Sequence, residues 1–127
     1  MNLIIGSHVS YNNKSQLLGS VKEALSYKAN TFMFYTGAPQ NTNRSAIEDS
    51  LTMEAYKLMK ENNIALEKVI VHAPYIVNLA NFNNFDFSVS FLINEVERCS
   101  TLGIKYLVLH PGSAVNCSRE EAINNIS

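Results

Sequence analysis

Cysteine, net charge and long apolar runs are all scarce in this sequence, and tryptophan is absent. The two cysteines, Cys99 and Cys117, form no CxxC pair. Cys99 falls on the apolar face of a predicted helix, so a reduced, cytoplasmic setting is the simple expectation. A net charge of −1 excludes a generally basic surface, so any nucleic-acid contact must be local. No apolar run approaches the roughly 20 residues that span a membrane. The first residues, Met1-Asn-Leu-Ile-Ile-Gly6, lack the basic start and small-residue cleavage site of a signal peptide. No GxGxxG follows the first predicted strand and no P-loop occurs anywhere, which removes the dinucleotide and P-loop readings. What remains is 127 residues, 46% hydrophobic and 17% charged, the composition of a soluble globular domain with a real core.

The most informative stretch is Lys105-Tyr-Leu-Val-Leu-His-Pro-Gly-Ser113. Tyr106 to Leu109 is apolar, partly β-branched and without helical period, long enough for a buried strand and too short for a helix. His110 is expected on its last position, and Pro111 and Gly112 stop it. Lys68-Val-Ile-Val71 repeats the plan, closed by His72 and broken by Ala73-Pro74. The C-terminal lip of a parallel strand is where α/β barrels place reacting groups.

In chain order, Leu3-Ile-Ile5 opens a first strand that Gly6-Ser7-His8-Val9 carries to the lip. Leu17, Val21, Ala24, Leu25 and Lys28 share one helical face. Thr31 to Tyr35 is a second strand, and Thr36 to Arg44 a loop longer than the usual connection of about 4–6 residues. Thr52 is a candidate N-cap for a second helix lined by Ala55, Leu58 and Met59 and ending in Glu61-Asn-Asn63. A third strand covers Val69 to His72, followed by a polar loop to Phe85. A third helix over 86–102 buries Leu92, Val96 and Cys99 and stops at Gly103. Ser118-Arg-Glu-Glu121 is a capping box that begins a fourth helix.

Alternating elements of this length imply parallel strands with right-handed crossovers, an α/β fold. Four β/α units are half of an eightfold barrel of about 250 residues. The expectation is therefore one domain over residues 1–127, the N-terminal half of a TIM (β/α)8 barrel, ending inside a capped helix. A small doubly wound domain is the competing reading.

Neighbouring parallel strands lie about 4.8 Å apart, so His72 and His110 could share one metal ion, and imidazole suits Zn²⁺ at roughly 2.0–2.1 Å. Alternatively they are hydrogen-bonded strand caps. His8 is a second-layer or substrate contact, or a satisfied core histidine. No Asp or Glu occupies a predicted strand end, yet a hydrolytic zinc site normally needs a carboxylate as ligand or base. A zinc site would draw its other ligands from outside these 127 residues.

Four motifs together resemble endonuclease IV, the zinc-dependent apurinic/apyrimidinic endonuclease family. They are Ile5-Gly-Ser-His-Val-Ser10, Thr31-Phe-Met-Phe-Tyr-Thr-Gly-Ala-Pro-Gln-Asn-Thr42, Val71-His-Ala-Pro-Tyr-Ile-Val-Asn-Leu79 and Leu109-His-Pro-Gly-Ser113. The resemblance implies a xylose isomerase-like TIM barrel with three Zn²⁺ per full-length monomer. It implies a DNA-repair hydrolase that cuts the phosphodiester 5′ to abasic sites in double-stranded DNA, leaving a 3′-hydroxyl and a 5′-deoxyribose phosphate. Under it, His72 and His110 are similar to two ligands of one zinc, and His8 and Ser113 stay as outer contacts. Tyr75 and Ile76 match a wedge that enters DNA at the lesion. Without the resemblance they read as a loop tucked on the barrel rim. Gln40 and Asn41 lie in a second DNA-inserting loop where some relatives carry arginine, and here Arg44 is the nearest cation. A sugar isomerase or epimerase on the same barrel, and a non-enzymatic truncated product, are the alternatives.

Overall fold

The structure is a computed structural model that describes residues 3–38, 43–74, 85–110, 120 and 123–124. The elements run β1 (Gly6–His8), α1 (Gln16–Ser26), β2 (Thr31–Phe34), α2 (Asp49–Glu61), a 3-10 turn (Leu66–Lys68), β3 (Ile70–His72), α3 (Phe85–Leu102) and β4 (Tyr106–Val108). The four strands form one parallel sheet in the order β1-β2-β3-β4. This is the alternating plan read from the sequence.

Register assigns the two faces of the sheet. Phe34 pairs with Val71 and Val71 with Leu107. Phe32, Phe34 and Val71 join Leu17, Val21 and Ala24 of α1, Ala55 and Met59 of α2, and Cys99 and Leu102 of α3 in one apolar cluster. That is the helix-covered face. The alternate residues, His8, Met33, Ile70 and Tyr106, lie in register on the other face, with His72 and Val108 one step further along. In a closed barrel this second face looks inward. Tyr106 and Val108 are exposed on it, so β4 is not the buried strand expected.

Four expectations on the elements are corrected. Leu3-Ile-Ile5 is not part of β1. β2 begins only at Thr31, so this segment meets Asn30 instead, whose N–H donates to the Ile5 carbonyl at 3.1 Å and whose side chain adds two bonds. The Ile5 N–H donates to Asn30 Oδ1 at 2.7 Å, and Asn30 Nδ2 donates to the Leu3 carbonyl at 2.8 Å. Lys28 lies past α1 at φ 59 and exposed, because the helix ends at Ser26. α2 starts earlier than a Thr52 cap would allow. Gln16, the buried first residue of α1, accepts from the Glu48 N–H at 2.9 Å and donates to the Ala46 carbonyl at 2.9 Å, so a distant amide does the capping work.

The fourth correction concerns α3. Its buried side chains are Ser88, Phe91, Glu95, Arg98, Cys99 and Leu102, while Val96 is 52% exposed. Of the expected stripe, Cys99 is buried in the core, Leu92 is half-buried and Val96 faces solvent. The helix turns two charged residues inward because both find partners there. Gly103 does end α3, at φ 76. The Ser118 capping box lies outside the described residues.

Candidate metal and nucleic-acid site

The lip of the sheet carries a row of three rings. Tyr35, the first residue past β2, stands between His8 and His72. Its ring centroid is 4.9 Å from that of His8 and 5.0 Å from that of His72, both tilted. The register produces this row, since Tyr35 lies two residues beyond Met33 just as His72 lies two beyond Ile70. Sequence reasoning assigned Tyr35 to a strand and missed its place between the histidines. Its position at a predicted strand end was the one available signal.

His72 is the last residue of β3, as expected. Its Nδ1 lies 2.5 Å from the Ala73 carbonyl oxygen. A carbonyl only accepts, so Nδ1 carries the proton and Nε2 keeps its lone pair in the neutral ring. This is how a metal-ligating imidazole is held, with its other nitrogen donating to a backbone carbonyl. Next to it the Ala73 N–H donates to the Val108 carbonyl at 2.8 Å, tying the chain past β3 to β4.

His110 is not on the last strand position. β4 ends at Val108, and Val108 is the residue that faces His72 across the ladder. His110 is exposed and lies two residues further on, with the same face parity as His72 if the chain stays extended. The two histidines are thus brought to the same edge but staggered.

His8 is drawn into the site rather than into a core. Burial holds its imidazole below the ordinary value, the nearby His72 adds to this, and Glu23 opposes it. The neutral ring is therefore favoured. Glu23 accepts from the Ser10 N–H at 3.1 Å, and the Ser20 hydroxyl donates to the Ser10 carbonyl at 2.6 Å, so α1 fixes the segment after β1. A hollow of about 390 Å³ opens here, lined by His8, Ser10, Tyr11, Glu23, Tyr35 and Gly37 among others.

Arg44, the cation nearest to Gln40 in sequence, does not face solvent. Its side chain is 5% exposed and its Nε sits 2.7 Å from Glu95 Oε1. Among the described residues no three His, Cys, Asp or Glu side chains converge as a metal site. Those residues offer at most two imidazoles to a zinc ion, His72 and His110, fewer than a zinc site takes. Gln40, Asn41, Tyr75, Ile76 and Ser113 lie outside the described residues.

A parallel sheet of four β/α units with His8 and His72 at the C-terminal strand ends has the plan of part of a β/α barrel, a class of fold in which reacting groups sit at that lip. The family described as xylose isomerase-like TIM barrel matches residues 21–127, and this chain belongs to it. Among its relatives are proteins named probable endonuclease 4. The one from Acholeplasma laidlawii is 55% identical over 98% of this chain and 43% of its own length. The one from Bacillus subtilis is 52% identical over 98% of this chain and 42% of its own. The crystal structure of endonuclease IV from Thermus thermophilus superposes with a TM-score of 0.74 at 25% identity, over 95% of this chain and 44% of that one. The chain thus spans less than half the length of the relatives it matches.

Proposed function

We propose that this chain is the N-terminal half of a zinc-dependent endonuclease acting on abasic sites in double-stranded DNA. The observation that carries the reading is the similarity to proteins named probable endonuclease 4 along 98% of the chain. The ring row at the lip supports it.

In this reading His72 binds zinc through Nε2, because Nδ1 is already committed to the Ala73 carbonyl. His110, two residues past the end of β4, would hold the same ion. Zinc, when bound, would lower the pKa of its water towards about 7 and offset phosphate charge. Tyr35 holds the His72 ring from one side and the His8 ring on the other. His8, kept neutral, can hydrogen-bond to a phosphate or sugar oxygen without adding charge. Gln40 and Asn41 contact the DNA, and Tyr75 and Ile76 enter the stack where a base is missing. The product ends are a 3′-hydroxyl and a 5′-deoxyribose phosphate. Local contacts of this kind reconcile DNA as substrate with a net charge of −1.

The remaining zinc ligands, a carboxylate among them, would come from strands beyond β4, and the full-length enzyme would act as a monomer. A buried free Cys99 fits a reduced cytoplasmic setting, and no helix among the described residues is long and apolar enough to cross a membrane. The test is incision of a synthetic abasic duplex by a polypeptide of the relatives' length carrying this segment. Cutting should need Zn²⁺, stop with a chelator, and leave a 3′ end that a polymerase extends. A non-extendable 3′ end, or no cutting at abasic sites, would overturn the reading.

A further inference from the structure

β2 ends at Phe34, so Tyr35 stands past the last ladder residue, and yet its ring is placed between those of His8 and His72. The residues on either side of it account for this. Side chains alternate along an extended chain, so Thr36 follows Phe34 onto the helix-covered face while Tyr35 follows Met33 onto the other. Phe34 is fully buried and stacks on the Tyr11 ring at 5.4 Å between centroids. Thr36 is buried too, and α3 bonds it at both of its side-chain and backbone oxygens. The Thr36 hydroxyl donates to Glu95 Oε2 at 2.6 Å, Arg98 Nε donates to Thr36 Oγ1 at 3.1 Å, and Arg98 Nη2 donates to the Thr36 carbonyl at 3.0 Å.

Glu95 and Arg98 are themselves fixed. Glu95 is fully buried with its Oε1 2.7 Å from Arg44 Nε, and Arg98 also donates to the Ser45 carbonyl at 2.6 Å. A buried carboxylate and two guanidinium groups are a costly way to hold a helix on a sheet, because apolar residues of similar volume often do that as well or better. What apolar side chains cannot supply is fixed direction at two oxygens of one residue. That residue is the neighbour of the middle ring of the row. Groups at a working site have to be held within about 0.5 Å of their places, and the ladder that would do this has already ended.

We propose that Glu95 and Arg98 are positioning residues for the lip of the sheet, acting through Thr36 to hold the Tyr35 ring between the His8 and His72 imidazoles. The coupling runs through the sheet, from the face covered by α3 to the face that carries the rings. That the held His72 serves as a zinc ligand rests on the reading above, whereas the coupling itself does not.

The experiment uses a polypeptide of the relatives' length with isotopically labelled histidine. The ring C–H signals of His8 and His72 are followed by NMR, assigned with His8→Gln and His72→Ala. Zinc affinity by chelator competition and melting temperature are measured beside them. Thr36→Val keeps the shape and removes the hydroxyl link. It should move the signals of both imidazoles and weaken the binding of one zinc about tenfold, the scale on which groups that orient a metal's ligands act. Thr36→Ser, which restores the hydroxyl, should return both readouts to those of the parent. Arg98→Lys keeps the charge but replaces a rigid fork by a single ammonium, so it should move the same signals and serves if Thr36→Val does not fold. A lower melting temperature with both ring signals in place overturns the proposal and leaves the cluster as an anchor for α3. Signals that move in Thr36→Val and stay moved in Thr36→Ser overturn it too, because the hydroxyl would not be the link. His72→Ala separates the coupling from the zinc reading. If that variant keeps the parent's zinc affinity, the zinc reading falls and the ring signals alone decide the coupling. If it loses zinc while Thr36→Val and Arg98→Lys keep the parent's ring signals, only the positioning role falls.

Discussion

His72 stands opposite Val108, not His110, across the β3–β4 ladder. His110 is therefore staggered by two residues, about 7 Å along the strand direction if the chain stays extended. That offset lies within the combined reach of two imidazoles that bind one ion at roughly 2.0–2.1 Å. It also means that the two side chains approach from different heights rather than side by side.

The first prediction follows from that geometry. In a polypeptide of the relatives' length, His72→Ala and His110→Ala should each lower zinc content after dialysis and reduce turnover by about 100-fold or more, since even groups behind the ligands cost 10–100-fold. Metal analysis beside an incision assay decides it. Parent-like zinc and rate in both variants would make the two histidines strand caps.

A second prediction concerns the 127 residues alone. Among the described residues no three ligands converge. The chain with added Zn²⁺ should not nick a synthetic abasic duplex. It should also self-associate, because β1 and β4 are the edges of the described sheet and Tyr106 and Val108 on its inner face are exposed. Metal-dependent nicking by the pure chain would defeat the prediction, and sedimentation reads the association.

A third prediction tests the wedge. Tyr75→Ala with Ile76→Ala should weaken binding to abasic duplex more than to intact duplex, at fixed salt and with zinc content unchanged. Rotating a nucleotide out of the stack costs a few kcal/mol and least where the base is missing, so an inserted ring and branched side chain act mainly at the lesion. Equal loss on both duplexes would make the loop a general phosphate contact.

The β/α order, the lip position of His72 and the stop at Gly103 were legible because each rests on local chemistry. β-branched runs, helical spacing, proline and glycine all act within a few residues. What was not legible depends on partners far away in the chain. The stagger of His110 is decided by strand alignment across β3 and β4. The place of Tyr35 between two imidazoles needs three strands in register. The rotation of α3 was hidden because Glu95 and Arg98 carry charge, and charge reads as solvent-facing until Arg44, 51 residues away, is seen beside Glu95. The capping of α2 was hidden likewise, since it comes from Gln16, 32 residues before Glu48.

A fourth prediction uses Gly103. Its φ of 76 is left-handed, and a Cβ there would lie 2.7 Å from Tyr56 Oη, which donates to the Leu102 carbonyl at 2.5 Å. Gly103→Ala should lower stability by about 1–2 kcal/mol from the backbone alone, with the crowding of Tyr56 added. Urea unfolding should show a lower midpoint at unchanged slope. Gly103→Asn, which tolerates this conformation, should lose less of the backbone part.

The last prediction concerns Cys99, a free buried thiol on α3. Burial pushes its pKa up to about 11, Glu95 adding to the rise and Arg98 opposing it. The nucleophile is the thiolate, so at pH 8 native Cys99 should resist alkylation and react only on unfolding. Cys117→Ser removes the second thiol from the measurement. The folded pKa stands above the ordinary value of 9.0, so the folded state holds the proton more tightly than the unfolded one. The stabilisation is fully present below pH 9 and is lost as pH rises through about 11. Stability of the Cys117→Ser protein should therefore fall over that window more steeply than that of the Cys117→Ser, Cys99→Ala protein, with tyrosine and lysine titration common to both. Rapid alkylation of the native protein at pH 8 would mean that α3 opens often enough to expose Cys99, and with it the Glu95 cluster packed beside it.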